Sequence, residues 1–244
     1  MRPYPAEIAQ NENQLVVYEG NAHLFSLYKT EKVKTTIKLA SERVESYSKQ
    51  PKPASISGRT VTYGAYKSIE KLSWKPISIH FENNKPFTLV KKLEREIQVS
   101  HWGSISVEER WEVEHRGAKL KTGFSRLDFT RYGHRSASVA GFHQFLPKGT
   151  RDIYYRDIIG NISTSNAFTR SDGTVDFEIR PRFVLFGGWR VVFKTGYSLP
   201  TSLYLLSNPQ SPSSLYLNFS LFDPIDNFPV DSLTVSLVLP EGTS

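Results

Sequence analysis

The chain contains the stretch Val175-Asp176-Phe177-Glu178-Ile179-Arg180, in which apolar side chains alternate with charged ones. A period of two places successive side chains on opposite faces, which is typical of a half-buried β-strand. The same period recurs at residues 107–114, 215–221 and 232–239. Residues 35–39 and 60–63 add β-branched and aromatic side chains, which strands favour. The repeated alternation therefore predicts a chain built mainly from strands.

Turn-forming residues separate the predicted strands at short intervals, which favours antiparallel sheets. Helix patterns are weak, and the best of them covers only residues 40–48, where Val44 and Tyr47 make a short apolar stripe. The predicted fold class is mainly β, with antiparallel β-sandwich domains and few short helices.

A division into two domains is predicted near a polar turn at residues 80–86. A second candidate break is the Pro- and Ser-rich loop at residues 50–57, but strands resume most strongly after the later turn. We therefore expect one domain at residues 1–82 and another at residues 83–244.

The formal net charge is +7, which raises the question of nucleic-acid binding. Such binding needs a concentrated basic stripe or a known motif, and the chain has neither. In Lys91-Lys92-Leu93-Glu94-Arg95-Glu96, for example, cations are interleaved with acids, a pattern typical of a solvated face. We predict no nucleic-acid partner.

Common catalytic and cofactor motifs are missing from the sequence. There is no cysteine, which excludes disulfides, thiolate metal sites and a cysteine nucleophile. The six histidines have no HExxH spacing, and GxSxG, GxGxxG and Walker-type patterns are absent. Paired carboxylates occur as the adjacent Glu108-Glu109 and as Asp223 with Asp226, but adjacent residues on a strand face opposite ways. We predict no catalytic residue, no metal and no cofactor.

Two Asn-x-Ser/Thr sequons occur, beginning at Asn161 and at Asn218. Asn161 follows Gly160 in a polar stretch that indicates a turn, which suits an exposed glycan acceptor. Asn218 falls on the polar face of a predicted strand and is the poorer candidate. We predict glycosylation at Asn161.

The most distinctive segment is residues 178–189, which holds Arg180-Pro181-Arg182 and ends on Gly187-Gly188-Trp189. Arg and Trp are enriched at protein interfaces, so Arg180, Arg182 and Trp189 could form a partner-facing corner. A corner between two strands with an internal Trp fits the pattern equally well. Both interpretations stay open on the sequence alone.

That segment and its neighbours resemble a known family. The matching stretches, in order, are Lys38-Leu39-Ala40-Ser41, Val44-Glu45-Ser46-Tyr47, Val99-Ser100-His101-Trp102-Gly103, Phe124-Ser125-Arg126, Tyr154-Tyr155-Arg156-Asp157, Glu178-Ile179-Arg180-Pro181-Arg182-Phe183, Leu185-Phe186-Gly187-Gly188-Trp189 and Leu239-Pro240-Glu241-Gly242. So many matches in one order make chance unlikely as an explanation. The chain resembles the ribophorin I family, an accessory subunit of the oligosaccharyltransferase of the endoplasmic reticulum.

The resemblance implies a type I membrane protein whose lumenal part has two β-rich domains. Residues 1–82 would then be the end of the first lumenal domain and residues 83–244 nearly all of the second, with the membrane span outside this sequence. It further implies a non-catalytic role in complex assembly and substrate handling on the lumenal side of the membrane. The partners would be the other subunits, including the catalytic membrane subunit, and nascent polypeptides.

Two other function classes stay open on the residues themselves. A β-sandwich carbohydrate-binding or adhesion module is the main alternative, because sheets with exposed aromatic side chains serve that purpose. A hydrolase on a β-rich fold is the enzymatic alternative, and it would need carboxylates or histidines that converge in one pocket.

Overall fold

The computed structural model describes residues 1–133, 137–209, 211–226 and 228–243. Strands dominate these residues and only two short helices occur among them, which confirms the predicted mainly β fold class. Neither of those helices has the length or apolar character needed to span a bilayer.

The strands of the first third of the chain are β1 Arg2–Pro3, β2 Glu7–Ile8, β3 Leu15–Asn21, β4 Thr30–Lys38, β5 Val44–Tyr47, β6 Ala54–Ser57, β7 Thr60–Ile69 and β8 Pro76–Glu82. The remaining elements are β9 Thr88–Val99, β10 Ser104–His115, β11 Lys119–Leu120, α1 Arg126–Tyr132, β12 Phe142–Leu146, β13 Arg151–Asp157, β14 Asn166–Thr169, β15 Val175–Ile179, β16 Arg190–Pro200, α2 Thr201–Tyr204, β17 Leu205–Asn208, β18 Ser211–Leu217 and β19 Leu233–Val238.

Two compact units make up the chain. The first comprises residues 1–86, 117–138 and 186–188, and the second comprises residues 87–116, 139–185 and 189–244. The main division thus falls between residues 86 and 87, four residues after the predicted position, and two later segments belong to the first unit as well. Contiguous sequence patterns do not reveal such returning segments, because they are held by long-range pairing. That the units correspond to two lumenal domains stays a prediction.

The first unit contains a four-stranded sheet in the order β1-β3-β8-β5 and a three-stranded sheet in the order β4-β7-β6. Its buried apolar side chains include Val16, Tyr63, Ile79 and Phe81. The returning segment adds β11, which pairs in parallel with β2, and helix α1, which Ser125 caps by accepting a hydrogen bond from the Asp128 amide at 3.2 Å.

The second unit has a five-stranded sheet in the order β13-β16-β10-β9-β19 and a three-stranded sheet in the order β12-β15-β14. The long strand β10 lies in the middle and pairs antiparallel with both β9 and β16. The inward faces of the two sheets share one apolar core, in which Trp111, Phe142, Phe177 and Phe193 are buried. Burying side chains of this size stabilises a fold by roughly 1.5–3 kcal/mol each.

Most predicted strands are confirmed in this unit. Residues 175–179 form β15 with the alternate burial that the sequence indicates, and the inward side chains of β10 include Val107, Trp111 and Val113. One departure from an antiparallel arrangement is β19, which pairs in parallel with β9.

One local prediction was wrong, and the weak helical pattern at residues 40–48 did not produce a helix. Residues 40–48 contain strand β5 and no helix, because pairing with β8 overrides a weak helical pattern. The strand predicted through residue 221 ends as β18 at Leu217, so Asn218 lies just beyond it and is exposed.

Candidate functional site

The sequon residue Asn161 lies on a tight turn that follows strand β13. Asp157, the last residue of that strand, accepts hydrogen bonds through Oδ1 from the amides of Ile159 at 2.9 Å and Gly160 at 3.0 Å. The Asp157 amide in turn donates to the Gly160 carbonyl at 3.1 Å. Asn161 follows directly and is exposed. Because the Asp157 carboxylate accepts hydrogen bonds from the amides of the turn that follows it, the backbone at Asn161 is held in a defined position.

Arg182 contacts the same turn through its guanidinium. Its guanidinium donates to Asp157 through Nε and to the carbonyl oxygen of Asn161 through Nη2 at 3.3 Å. The hydrogen bond from Arg182 holds the pKa of Asp157 below its usual value. The structure therefore brings Arg182 and Asn161 together, a proximity that their separation in sequence does not reveal.

The other two residues of the predicted corner also have partners within the chain. Arg180 forms an ion pair with Glu178 at 2.7 Å. Trp189 is half-buried, and its ring meets that of Phe183 edge to face with the centroids 5.8 Å apart. The Trp189 carbonyl accepts a hydrogen bond from the His115 amide at 2.9 Å. Arg180 and Arg182 stay exposed alongside these internal contacts, so a partner-facing role stays a prediction.

A cluster of buried polar side chains in the second unit was missed by the sequence analysis. Its central residue is Arg95, whose exposed fraction is 1%. The Arg95 guanidinium donates through Nη2 to Asp223 at 2.8 Å and to the Tyr197 hydroxyl at 3.0 Å, and it lies 5.0 Å from the Phe219 ring centroid. The interpretation of residues 91–96 as a solvated face is therefore wrong for Arg95.

Glu109 is the second acid of this cluster, and its Oε1 lies 3.5 Å from Arg95 Nε. Its Oε2 accepts hydrogen bonds from Gln144 at 2.6 Å and from Thr195 at 3.3 Å. Burial raises the pKa of Glu109 to about 7, although the positive charge of Arg95 opposes this shift. One guanidinium faces two carboxylates, so the cluster carries a surplus negative charge when both acids are ionised.

The polar cluster fixes the connection between β18 and β19. Asp223 lies in that connection and accepts hydrogen bonds from Arg95 and, at 2.8 Å, from the hydroxyl of Tyr197 in β16. Burial also raises the pKa of Tyr197, so the hydroxyl remains a donor over the physiological range. These contacts explain how a segment with little regular structure is held against the core.

A faint indication of the cluster is present in the sequence. Arg95 occupies an inward position in the alternation of Leu93, Ile97 and Val99, and Glu109 lies between Val107 and Trp111 in the same way. A charge at an inward position needs a partner. The expectation that Glu108 and Glu109 face opposite ways is confirmed, because Glu109 is buried while Glu108 pairs at the surface with Lys194.

The described part of the chain contains no candidate metal site. No group of three His, Asp or Glu side chains there is placed to hold a metal ion. The His143 ring pairs with Asp176 at 3.0 Å, and its amide donates to Asp226 at 3.0 Å. His134 lies outside the described residues.

Comparison with known proteins identifies the family. A family model described as Ribophorin I matches residues 1–244. The chain belongs to the ribophorin I family. This confirms the resemblance found in the ordered sequence segments.

Three similar relatives have names that describe a subunit of a glycosyltransferase. The chain is 41% identical over 252 residues to "Dolichyl-diphosphooligosaccharide--protein glycosyltransferase subunit 1B" of Arabidopsis thaliana, and the alignment covers 100% of this chain and 52% of the relative. It is 42% identical over 245 residues to subunit 1A of the same plant, covering 100% of this chain and 39% of the relative. It is 43% identical over 250 residues to subunit 1 of Caenorhabditis elegans, covering 99% of this chain and 41% of the relative.

This member of the ribophorin I family therefore spans about half the length, or less, of the relatives it matches. The comparisons do not favour the alternative of a carbohydrate-binding or adhesion module.

Proposed function

We propose that the chain is a non-catalytic, lumenal part of the oligosaccharyltransferase of the endoplasmic reticulum, acting in complex assembly and in the handling of nascent polypeptides. The observation that carries this proposal is the family match over residues 1–244, together with relatives named as subunit 1 of the glycosyltransferase. The proposed partners are the other subunits, including the catalytic membrane subunit.

The chemistry of the described side chains supports a scaffold role. Glu109 and Asp223 are enclosed with Arg95, and their hydrogen bonds fix a connection between strands. Asp157 and Arg182 hold a surface turn in shape. In each case the charged groups make contacts that stabilise the fold.

The proposal is tested by expressing the tagged chain behind an added signal peptide and purifying it from microsomes in mild detergent. We expect the catalytic subunit to co-purify with it. Recovery of a protease-resistant, folded chain without that subunit would contradict the proposed membership of the complex.

We further infer that Asn161 carries an N-linked glycan in the lumen. Its support is an exposed side chain on a turn that Asp157 and Arg182 keep in place. In the same microsomes, Asn161→Gln should abolish the mobility shift produced by endoglycosidase H. The matched control Asn218→Gln should leave that shift intact, because the Asn218 amide donates to the Tyr204 carbonyl and Phe219 packs against the core, so this sequon is held against the folded unit. An unchanged shift in Asn161→Gln would refute the assignment.

We also propose a partner-facing role for Arg180 and Arg182. Each forms an ion pair within the chain, yet its side chain remains exposed to solvent. Replacing both by Ala should weaken co-purification of the complex while the chain stays folded. The matched control is Arg110→Ala with Arg190→Ala, which removes the same charge from another exposed surface of this unit. If the first double variant instead loses thermal stability and assembles normally when folded, the corner is internal.

A further inference from the structure

An exposed group of large apolar side chains stands out in the first unit. Six such side chains occur on two connections, and their exposed fractions range from 48% to 79%: Leu24, Phe25, Leu27, Tyr28, Leu72 and Trp74. We call this group the apolar tip. Exposed apolar side chains that cluster in this way mark an interaction surface.

The strand register explains why the two connections meet. Residues 22–29 join β3 to β4, and residues 70–75 join β7 to β8. Because Asn21 pairs with Pro76 and Thr30 pairs with Ile69, both connections leave their sheets at matching strand ends. The tip is therefore assembled by the pairing of strands that are distant in sequence.

Hydrogen bonds between the connections hold their backbones together. The Ala22 amide donates to the Lys75 carbonyl at 2.9 Å, and the Leu72 amide donates to the Ser26 carbonyl at 2.7 Å. The side chain of Asn21 accepts from the Lys75 amide at 2.7 Å and donates to the Ser73 carbonyl at 3.1 Å. These backbone and amide groups already have hydrogen-bond partners within the chain. Covering the tip with another surface therefore leaves few of these polar groups without partners, and the cost of removing water from them is small.

Aromatic packing supports the same arrangement. The rings of Phe25 and Trp74 meet edge to face, with centroids 6.4 Å apart. The contact links the two connections through their side chains as well as their backbones. The tip is thus one surface and not two independent loops.

The charges around the tip are predominantly positive. Residues 22–30 and 70–75 contain Lys29, Lys71 and Lys75 but only one acid, Glu70. Glu70 is paired with Lys29 at 3.2 Å, whereas Lys71 and Lys75 form no ion pair with any described residue. Burial and the nearby Lys75 lower the pKa of His23, so this ring adds no charge at neutral pH.

We propose that the apolar tip docks on an anionic phospholipid surface. Trp and Tyr with neighbouring Leu and Phe are the side chains that enter the boundary between headgroups and acyl chains, and lysines at their margin match negative headgroups. The proposal goes beyond the proposed function and does not depend on it, because binding to lipid requires no other subunit.

The test measures co-sedimentation of the full chain with phosphatidylcholine vesicles that contain or lack phosphatidylserine. We expect strong binding to the vesicles with phosphatidylserine, weaker binding to the neutral ones, and a decrease with added salt. Trp74→Ala combined with Leu27→Ala should weaken binding by about tenfold or more, since both changes remove apolar area from the contact.

Matched variants separate the tip from general surface effects. Trp102→Ala removes a tryptophan that is 94% exposed on a turn of the second unit, and it should leave vesicle binding unchanged. Lys71→Glu with Lys75→Glu should remove the preference for phosphatidylserine. Lys38→Glu with Arg59→Glu alters the net charge equally at the opposite end of the paired strands β4 and β7, where Lys38 is the register partner of Thr60, so the preference should persist.

Tryptophan fluorescence gives an independent readout of contact. Brominated phosphatidylcholine should quench Trp74, so that Trp74→Phe loses the quenching while Trp102→Phe retains it. Failure of the unaltered chain to bind either vesicle would overturn the proposal, as would equal losses in Trp74→Ala and Trp102→Ala. A concentration-dependent dimer that Trp74→Ala dissociates and that vesicles do not disperse would assign the tip to a second copy of the chain instead.

Discussion

At the scale of single residues, the second unit depends on a charge placed where the strand pattern expects an apolar side chain. Arg95 and Glu109 both occupy inward positions of neighbouring strands, and Asp223 completes the cluster from a connection distant in sequence. Breaking a buried pair by removing one partner costs about 3–5 kcal/mol, because the other charge remains in a low-dielectric site. The cluster therefore makes the placement of that connection specific as well as stable.

Glu109 makes the stability of the second unit depend on pH. Folding raises the pKa of this carboxyl to about 7 from an ordinary value of 4.5, so the folded chain binds a proton that the unfolded chain releases in that range. This contribution to stability is fully present below the unfolded pKa and is lost as pH rises through the folded pKa. In the unaltered chain, the free energy of unfolding should therefore fall as pH rises from 4.5 to 7. In Glu109→Gln this fall should be smaller, by on the order of 1 kcal/mol or more.

Urea unfolding at a series of pH values measures this effect. Glu108→Gln is the matched control, because the neighbouring residue has the same chemistry but pairs with Lys194 at the surface. The control should retain the fall with rising pH. An identical pH profile for the unaltered chain and Glu109→Gln would show that ionisation of Glu109 is not linked to folding.

At the scale of elements, a glycine and a tyrosine on paired strands determine how β13 lies on β16. Tyr154 and Gly196 are register partners, and a Cβ added at residue 196 would lie 2.2 Å from the Tyr154 ring. The Tyr154 side chain extends across β16, and its hydroxyl donates to Glu108 in β10 at 2.9 Å. A tyrosine that covers a strand glycine thereby connects three adjacent strands.

Gly196→Val should destabilise the chain by about 1–3 kcal/mol, although valine is a good strand former, since the Tyr154 ring must move. The measurement is the free energy of unfolding in urea. In a Tyr154→Ala background the space is vacant, and the same valine should cost much less. Equal costs in both backgrounds would mean that the ring is not what requires glycine.

At the scale of the whole molecule, chain segments far apart in sequence complete the first unit. Gln14 is fully buried and donates through Nε2 to the Asn83 carbonyl at 2.9 Å. Its Oε1 accepts from the Ala118 amide at 2.8 Å. The Gln14 side chain thus links the end of segment 1–86 to the returning segment 117–138, which carries β11 and α1.

Gln14→Ala should lower the unfolding free energy by about 2–4 kcal/mol, because it leaves two buried backbone groups without partners. Hydrogen exchange at the Ala118 amide should accelerate, which ties the loss to this contact. Gln98→Ala, on an exposed position of β9, is the matched control and should change neither quantity. Unaltered protection of Ala118 in Gln14→Ala would contradict the assignment.

Much of the fold could be predicted from local pattern. The alternation at residues 107–114, 175–180 and 232–239 gave the strands correctly, because one face of each strand packs on a core and the other meets solvent or a neighbour. Where the pattern was weak, as at residues 40–48, pairing with a distant strand decided the structure.

The sequence by itself determined the mainly β character, the exposed turn at Asn161 and the family, since these rest on periodicity, turn chemistry and the order of matching segments. Only the tertiary structure decided which charges are buried together, which segments return to the first unit and which apolar side chains gather at the tip. The physical reason is that these properties depend on strand pairing between distant residues. A period of two assigns a side chain to a face, but it does not say what that face meets.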